Sequence, residues 1–70
     1  MSVLKVIEVL ASSDSGWEDA AKNAVKAASK SLKAIRSVYI QEQSAVVEDG
    51  EIKEYRINAK IAFEVLDDDD

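Results

Sequence analysis

Apolar and polar positions alternate without a break from Lys53 to Val65. Tyr55, Ile57, Ala59, Ile61, Phe63 and Val65 share one parity. Glu54, Arg56, Asn58, Lys60 and Glu64 share the other, with Ala62 the only apolar residue among them. A period of two over so many residues predicts a long strand with one buried face and one face that meets something polar. A second run, Ser2 to Leu10, is rich in Val, Leu and Ile and also predicts a strand. Val3, Ile7 and Val9 share a parity with Lys5, whereas Leu4, Val6 and Leu10 share one with Glu8. Neither parity is cleanly polar, which predicts a central strand or one buried on both sides at an interface.

Between these runs the period changes. Ala11 to Gly16 is small and polar and predicts a turn. Ser15 followed by Glu18 fits a capping box, with Ser13 as a competing N-cap. From Trp17 to Ile35 the apolar residues Trp17, Ala20, Ala21, Ala24, Val25, Ala28, Leu32 and Ile35 recur at steps of three and four. That spacing predicts one amphipathic helix of about five turns. Acids at its start and lysines towards its end suit the helix dipole. The stripe is mostly alanine, so its neighbour must approach closely. Arg36 to Val47 returns to a strand pattern, and Glu48-Asp49-Gly50-Glu51 closes it with a hairpin turn. A two-residue loop sets Glu48 against Glu51, Gln43 against Arg56, Gln41 against Asn58, Tyr39 against Lys60 and Ser37 against Ala62. On the other face Val38 meets Ile61 and Ile40 meets Ala59. In that register Glu42 falls opposite Ile57 and Ser44 opposite Tyr55, which predicts a bulge or an interface, because a buried unpaired carboxylate is costly.

The predicted fold is α+β: a β-α-β-β order with a three-stranded antiparallel sheet wrapped around one helix. One helix covers one side of the sheet. The other side would carry Ser37, Tyr39, Gln41, Gln43, Arg56, Asn58 and Lys60, a polar surface suited to binding.

Seventy residues allow one domain, expected over 1–66. A core of this size is marginal alone. The chain has no Cys and no His, which removes disulfides, thiolate sites, the commonest transition-metal ligand and the usual general base. Self-association is the remedy that remains. Net charge is −5, and Asp67 to Asp70 supply four of those charges. That run reads as a solvated acidic tail, 67–70. The balance of charge and the lack of a basic stripe argue against nucleic acid. The N-terminal apolar run is interrupted by Lys5 and Glu8 and is too short to span a membrane, so the expectation is a cytoplasmic protein without a membrane partner.

Several short stretches together carry a resemblance. They are Lys5-Val6-Ile7-Glu8, Ser12-Ser13, Trp17-Glu18-Asp19-Ala20-Ala21, the spacing from Ile35 to the Glu-Asp-Gly-Glu turn, and the final Tyr55 to Phe63 strand. The chain resembles the dodecin family from about Val3 to Phe63. The resemblance implies a hollow spherical homododecamer, with helices outside and sheets lining the inside, and a flavin-binding or flavin-storage role without turnover. Flavin-binding dodecins stack the isoalloxazine on a Trp early in the second strand and hydrogen-bond it with a Gln in the third. Here the Trp position is Ser37 and the Gln position is Arg56. Stacking on a large ring adds about 0.5–1.5 kcal/mol beyond burial, and Ser37 has no ring. Arg56 only donates, whereas a Gln amide donates and accepts. The resemblance therefore implies weakened or lost flavin binding around Ser37, Tyr39, Gln43 and Arg56. The Trp-Glu-x-Ala-Ala helix start, Ile35-Arg36, Glu42-Gln43 and Tyr55-Arg56 are closer to the calcium dodecin branch, which lacks the stacking Trp.

The expected ligand is a small molecule or an ion, with flavin and calcium as alternatives. Arg56 reads either as a ligand contact or as half of an inter-subunit ion pair with Glu54 or Glu42 of a neighbour. Trp17 reads as a staple between helix and sheet. A calcium site needs six to eight oxygens. Asp14, Glu18 and Asp19 form one acidic group, and Glu48, Asp49 and Glu51 another; neither has the spacing of an EF-hand. Without a nucleophile–base pair or a phosphate loop, catalysis is not expected.

Overall fold

A computed structural model describes residues 3–65 of the chain. The expected acidic tail, Asp67 to Asp70, lies outside the described residues. The order is β1 (Val3–Ser13), α1 (Trp17–Ala28), β2 (Ile35–Glu48) and β3 (Glu51–Val65). The strands form one antiparallel sheet in the order β1-β3-β2.

The strand with the longest alternation, β3, is therefore the central one, and β1 is an edge. This corrects the expectation of a central β1. The mixed composition of β1 has another cause: Val9 and Ala11 pack towards the helix, while Leu4, Val6 and Leu10 lie on the uncovered side and are exposed. β1 also runs through Ser13, into the expected turn.

The helix lies on the face of β3 that carries Ile57, Ala59 and Ile61. These three, with Ala20 and Ala24 of the helix, are the buried core. Both alanines are 2% exposed or less, so the helix backbone sits close against the strand. Trp17 fixes the start of α1 on the sheet. Its Nε1–H donates to the Ser44 carbonyl at 2.8 Å. Its ring meets Tyr55 edge-on, with centroids 4.9 Å apart and planes at 81°.

Both helix ends differ from expectation. Gly16 is the N-cap, and no side chain caps it. Ser15 and Glu18 do not form the expected box. Instead Ser13 Oγ donates to Asp19 Oδ2 at 2.6 Å and accepts from the Ser15 backbone N–H at 2.9 Å. At the other end α1 stops at Ala28 rather than Ile35. The Ser29 hydroxyl donates to the Lys26 carbonyl, and the N–H groups of Ser31 and Leu32 both converge on the Ala28 carbonyl. A serine that bonds its own preceding turn competes with helix propagation. The chain then reverses through Ala34, at φ 59°, and Ile35 reaches the core from β2 instead of from the helix.

The hairpin closes as expected. Glu48 pairs with Glu51 around Asp49 (φ 51°) and Gly50 (φ 77°), the two positive φ angles of this turn. Its register does not stay in phase along the strands. Lys53 is an extra residue on β3 between the Val47–Ile52 and Val46–Glu54 pairs, and Gln41 is an extra residue on β2 between Glu42–Asn58 and Ile40–Ala59. The second bulge cancels the first, so both ends keep the expected pairing while the middle shifts by one. A third extra residue, Arg36, lies near the start of β2. Its guanidinium grips Glu64 Oε1 through Nη2 at 2.7 Å and Nε at 3.0 Å.

Candidate functional site on the open face of the sheet

The one helix leaves the other side of the sheet uncovered. Cross-strand partners share a face, so the pairing assigns this surface. β1 contributes Leu4, Val6, Glu8, Leu10 and Ser12. β3 contributes Glu54, Arg56, Asn58, Lys60 and Ala62. β2 contributes Ser37, Tyr39, Glu42, Ser44 and Val46. The face is apolar along β1 and polar along β3 and β2.

The bulge at Gln41 decides which β2 residues reach it. Without the bulge, Glu42 would stand opposite Ile57, over the core. With it, Glu42 pairs with Asn58 and Ser44 with Arg56, both on the open face. Gln43 instead pairs with Ile57. This corrects the expected Gln43–Arg56 pair: Gln43 follows the helix-side row, and Ser44 takes its place beside Arg56. The misfit of Glu42 against Ile57 was the sequence signal for this rearrangement.

A cleft of about 560 Å³ opens between β1, β3 and β2 at this level. Leu10, Ser12, Glu42, Ser44, Arg56 and Asn58 line it, with Gln43 and Glu54 at its edge. Arg56 Nε donates to Glu54 Oε1 of the same chain at 2.7 Å. The partner foreseen in a neighbouring chain is thus present within one chain, two residues away on the same strand. Asn58 borders the cleft, but its Oδ1 is buried from solvent and has no donor among the described residues. Leaving such a group unmatched costs about 1–3 kcal/mol.

The four expected site residues do not converge in one chain. Arg56 and Gln43 border the cleft. Ser37 pairs with Ala62, and Tyr39 with Lys60. At roughly 3.3 Å per residue, Ala62 stands about 20 Å along β3 from Arg56. Sequence reasoning missed Leu10, Ser12, Glu42 and Ser44, because their convergence depends on the strand order and on the bulge. The acidic groups fare similarly. Asp19 is engaged by Ser13, and among the described residues no three His, Cys, Asp or Glu side chains gather as a metal site.

Comparison with known proteins places these features in context. The family model described as Dodecin matches residues 3–66. The calcium dodecin of Mycobacterium tuberculosis is 37% identical over 65 residues, which cover 93% of this chain and 92% of that protein. The crystal structure of that protein, described as a calcium-chelating antigen with a novel calcium-binding site, matches with a TM-score of 0.80 over 96% of both chains. A dodecin from Streptomyces coelicolor matches at 0.89, with 26% identity over 94% of both chains. A point mutant of the Thermus thermophilus dodecin matches at 0.91 over 96% of this chain and 100% of that one, at 24% identity, a likeness of fold.

Proposed function

The chain belongs to the dodecin family, and on that premise we propose that it assembles into a homododecameric hollow shell that binds or stores a small molecule or an ion without catalysis. One observation carries the reading. The open face combines exposed Leu4, Val6 and Leu10 with a polar cleft lined by Ser12, Glu42, Ser44 and Arg56. A surface of that kind on a single chain is unfinished, and further copies of the chain would cover its apolar side. Residues 1–66 act as the single domain of this subunit, with 67–70 as an appendage. A cytoplasmic setting belongs to the same reading.

Flavin fits the residues poorly. Position 37 offers a hydroxyl instead of a ring, and Arg56 offers only donors, one of which, Nε, is bonded to Glu54. Ser37 and Arg56 would meet only if two chains brought them together across a symmetry axis. Tyr39, 65% exposed, is the ring on this face that a ligand from such an axis could reach. Calcium fits in part. Glu42, Ser12 and Ser44 supply oxygens, but Glu42 is the only carboxylate of the cleft not held by Arg56. A hard cation with six to eight oxygen ligands would need carboxylates from neighbouring chains. The 37% identity to a calcium dodecin favours calcium as the second reading.

Native mass spectrometry is the first test. The expected species is about 92 kDa, twelve times the 7.7 kDa chain; a monomer would overturn the assembly. Riboflavin fluorescence that stays unquenched by the purified protein is expected for a lost flavin site. Calcium is then titrated calorimetrically into the wild type and Glu42→Gln. Heat that appears only in the wild type supports the calcium reading, and no heat in either removes it.

A further inference from the structure

Two apolar surfaces on the helix side of the sheet are left unused by the fold of one chain. The first is a groove of about 390 Å³ between α1 and β2. Ala21, Val25 and Val38 wall it, and Glu18, Lys22 and Lys26 rim it. The second lies on the far end of the hairpin. β1 ends opposite Tyr55, and Trp17, the first helical residue, reaches back only to Ser44 and Tyr55. Val46 to Glu54 is therefore an arm of two strands, with no third strand and no helix over it. Two strands alone are marginal in water. Yet Val47 and Ile52, directly paired on this arm, are 62% and 48% exposed.

We infer that the arm of one chain seats in the α1–β2 groove of a second copy, with Val47 and Ile52 against Ala21, Val25 and Val38. The inference rests on the self-assembly proposed above and specifies one of its contacts. Charge complementarity supports the choice of occupant. The tip carries Glu48, Asp49 and Glu51, offset by Lys53, which lies 3.8 Å from Glu51. The groove presents Lys22 and Lys26. Lys22 makes only a 3.6 Å pair with Glu18, with both side chains more than 70% exposed, so it is available to another carboxylate. Lys26 makes no ion pair among the described residues. Its position in the last turn places its charge where the helix dipole favours it.

Geometry excludes the arm's own groove. Val38 and Val47 are nine positions apart on one continuous strand, about 30 Å at the usual rise. Arm and groove are different patches, so a second copy must supply one of them, either reciprocally about a two-fold axis or in sequence around a ring.

The absence of native cysteine makes the contact testable by cross-linking. A disulfide requires Cα atoms within about 7 Å, so a Val25→Cys/Val47→Cys chain cannot close on itself. Under mild oxidation it is expected to give disulfide-linked dimers on a denaturing gel, with higher species where the contact runs around a ring, while each single variant stays monomeric on that gel. Dimers of equal yield from the single variants, or no cross-linked species from the double, would overturn the inference. Charge exchange is the second arm. Glu48→Lys/Glu51→Lys and Lys22→Glu/Lys26→Glu are each expected to weaken assembly about tenfold or more by native mass spectrometry, and their combination to restore it. Far-UV circular dichroism confirms that each variant is folded. Assembly of the wild type with no effect of either charge pair would sink this contact alone. A monomeric wild type would sink the assembly as well.

Discussion

Ala34 holds a left-handed backbone at φ 59° immediately before β2, and its carbonyl accepts the Glu64 N–H at 3.0 Å. That conformation costs an L-residue about 1–2 kcal/mol. Glycine removes the clash but enters the turn from a more disordered unfolded chain, which returns about 0.4–1 kcal/mol. Ala34→Gly is therefore expected to stabilise the protein by up to about 1 kcal/mol. Thermal melts at matched protein concentration would show it as a rise of a few degrees. An unchanged or lower melting temperature would mean that the turn relaxes its strain elsewhere. Nothing local marks this alanine in the sequence, where Lys33-Ala34-Ile35 reads as helix. The same limit applies at the cleft. Arg56 and Asn58 were legible from the alternation of β3, but Leu10 and Ser12 were not. They reach the cleft only because β1 lies beside β3, and strand order is decided by contacts distant in sequence.

The elements themselves were largely written in their periods. The alternation of β3, the Asp49-Gly50 turn and the alanine stripe of α1 each led to the structure observed. What remained hidden were the places where two local preferences compete. The helical period continues past Ala28 to Ile35, yet the Ser29 hydroxyl bonds the preceding turn and the helix ends there. Two bulges change the middle of the hairpin without disturbing its ends, so the ends alone cannot reveal them. The alanine stripe also sets the spacing between helix and sheet. With Ala20 and Ala24 in contact with Ile57, Ala59 and Ile61, no room exists for a larger side chain. Ala24→Leu is expected to cost about 1–3 kcal/mol through overpacking. Chemical denaturation would measure it, and a cost below about 0.5 kcal/mol would show that the helix can lift from the sheet.

As a whole, the described chain measures 57 × 19 × 13 Å. Its radius of gyration is 14.7 Å, against roughly 11 Å for a self-contained domain of this length. Among the described residues five apolar ones are buried, whereas ten large ones are exposed, which leaves apolar side chains for contacts beyond the chain. Val6→Glu, at an exposed position on the open face, is expected to leave the helix content intact and to lower the mass seen in native spectra. Retention of the full assembly would show that this side faces water. The short dimension carries a further consequence. One sheet and one helix, 13 Å through, would be the entire wall of a closed shell, so the open face of the sheet and the outer face of the helix would meet different compartments. Lys60, exposed on the sheet side, would meet only the enclosed water, and Lys30, just past the helix, only the bulk. An amine reagent too large to enter should label Lys30 and spare Lys60 until the shell is opened, turning two ordinary lysines into gauges of inside and outside.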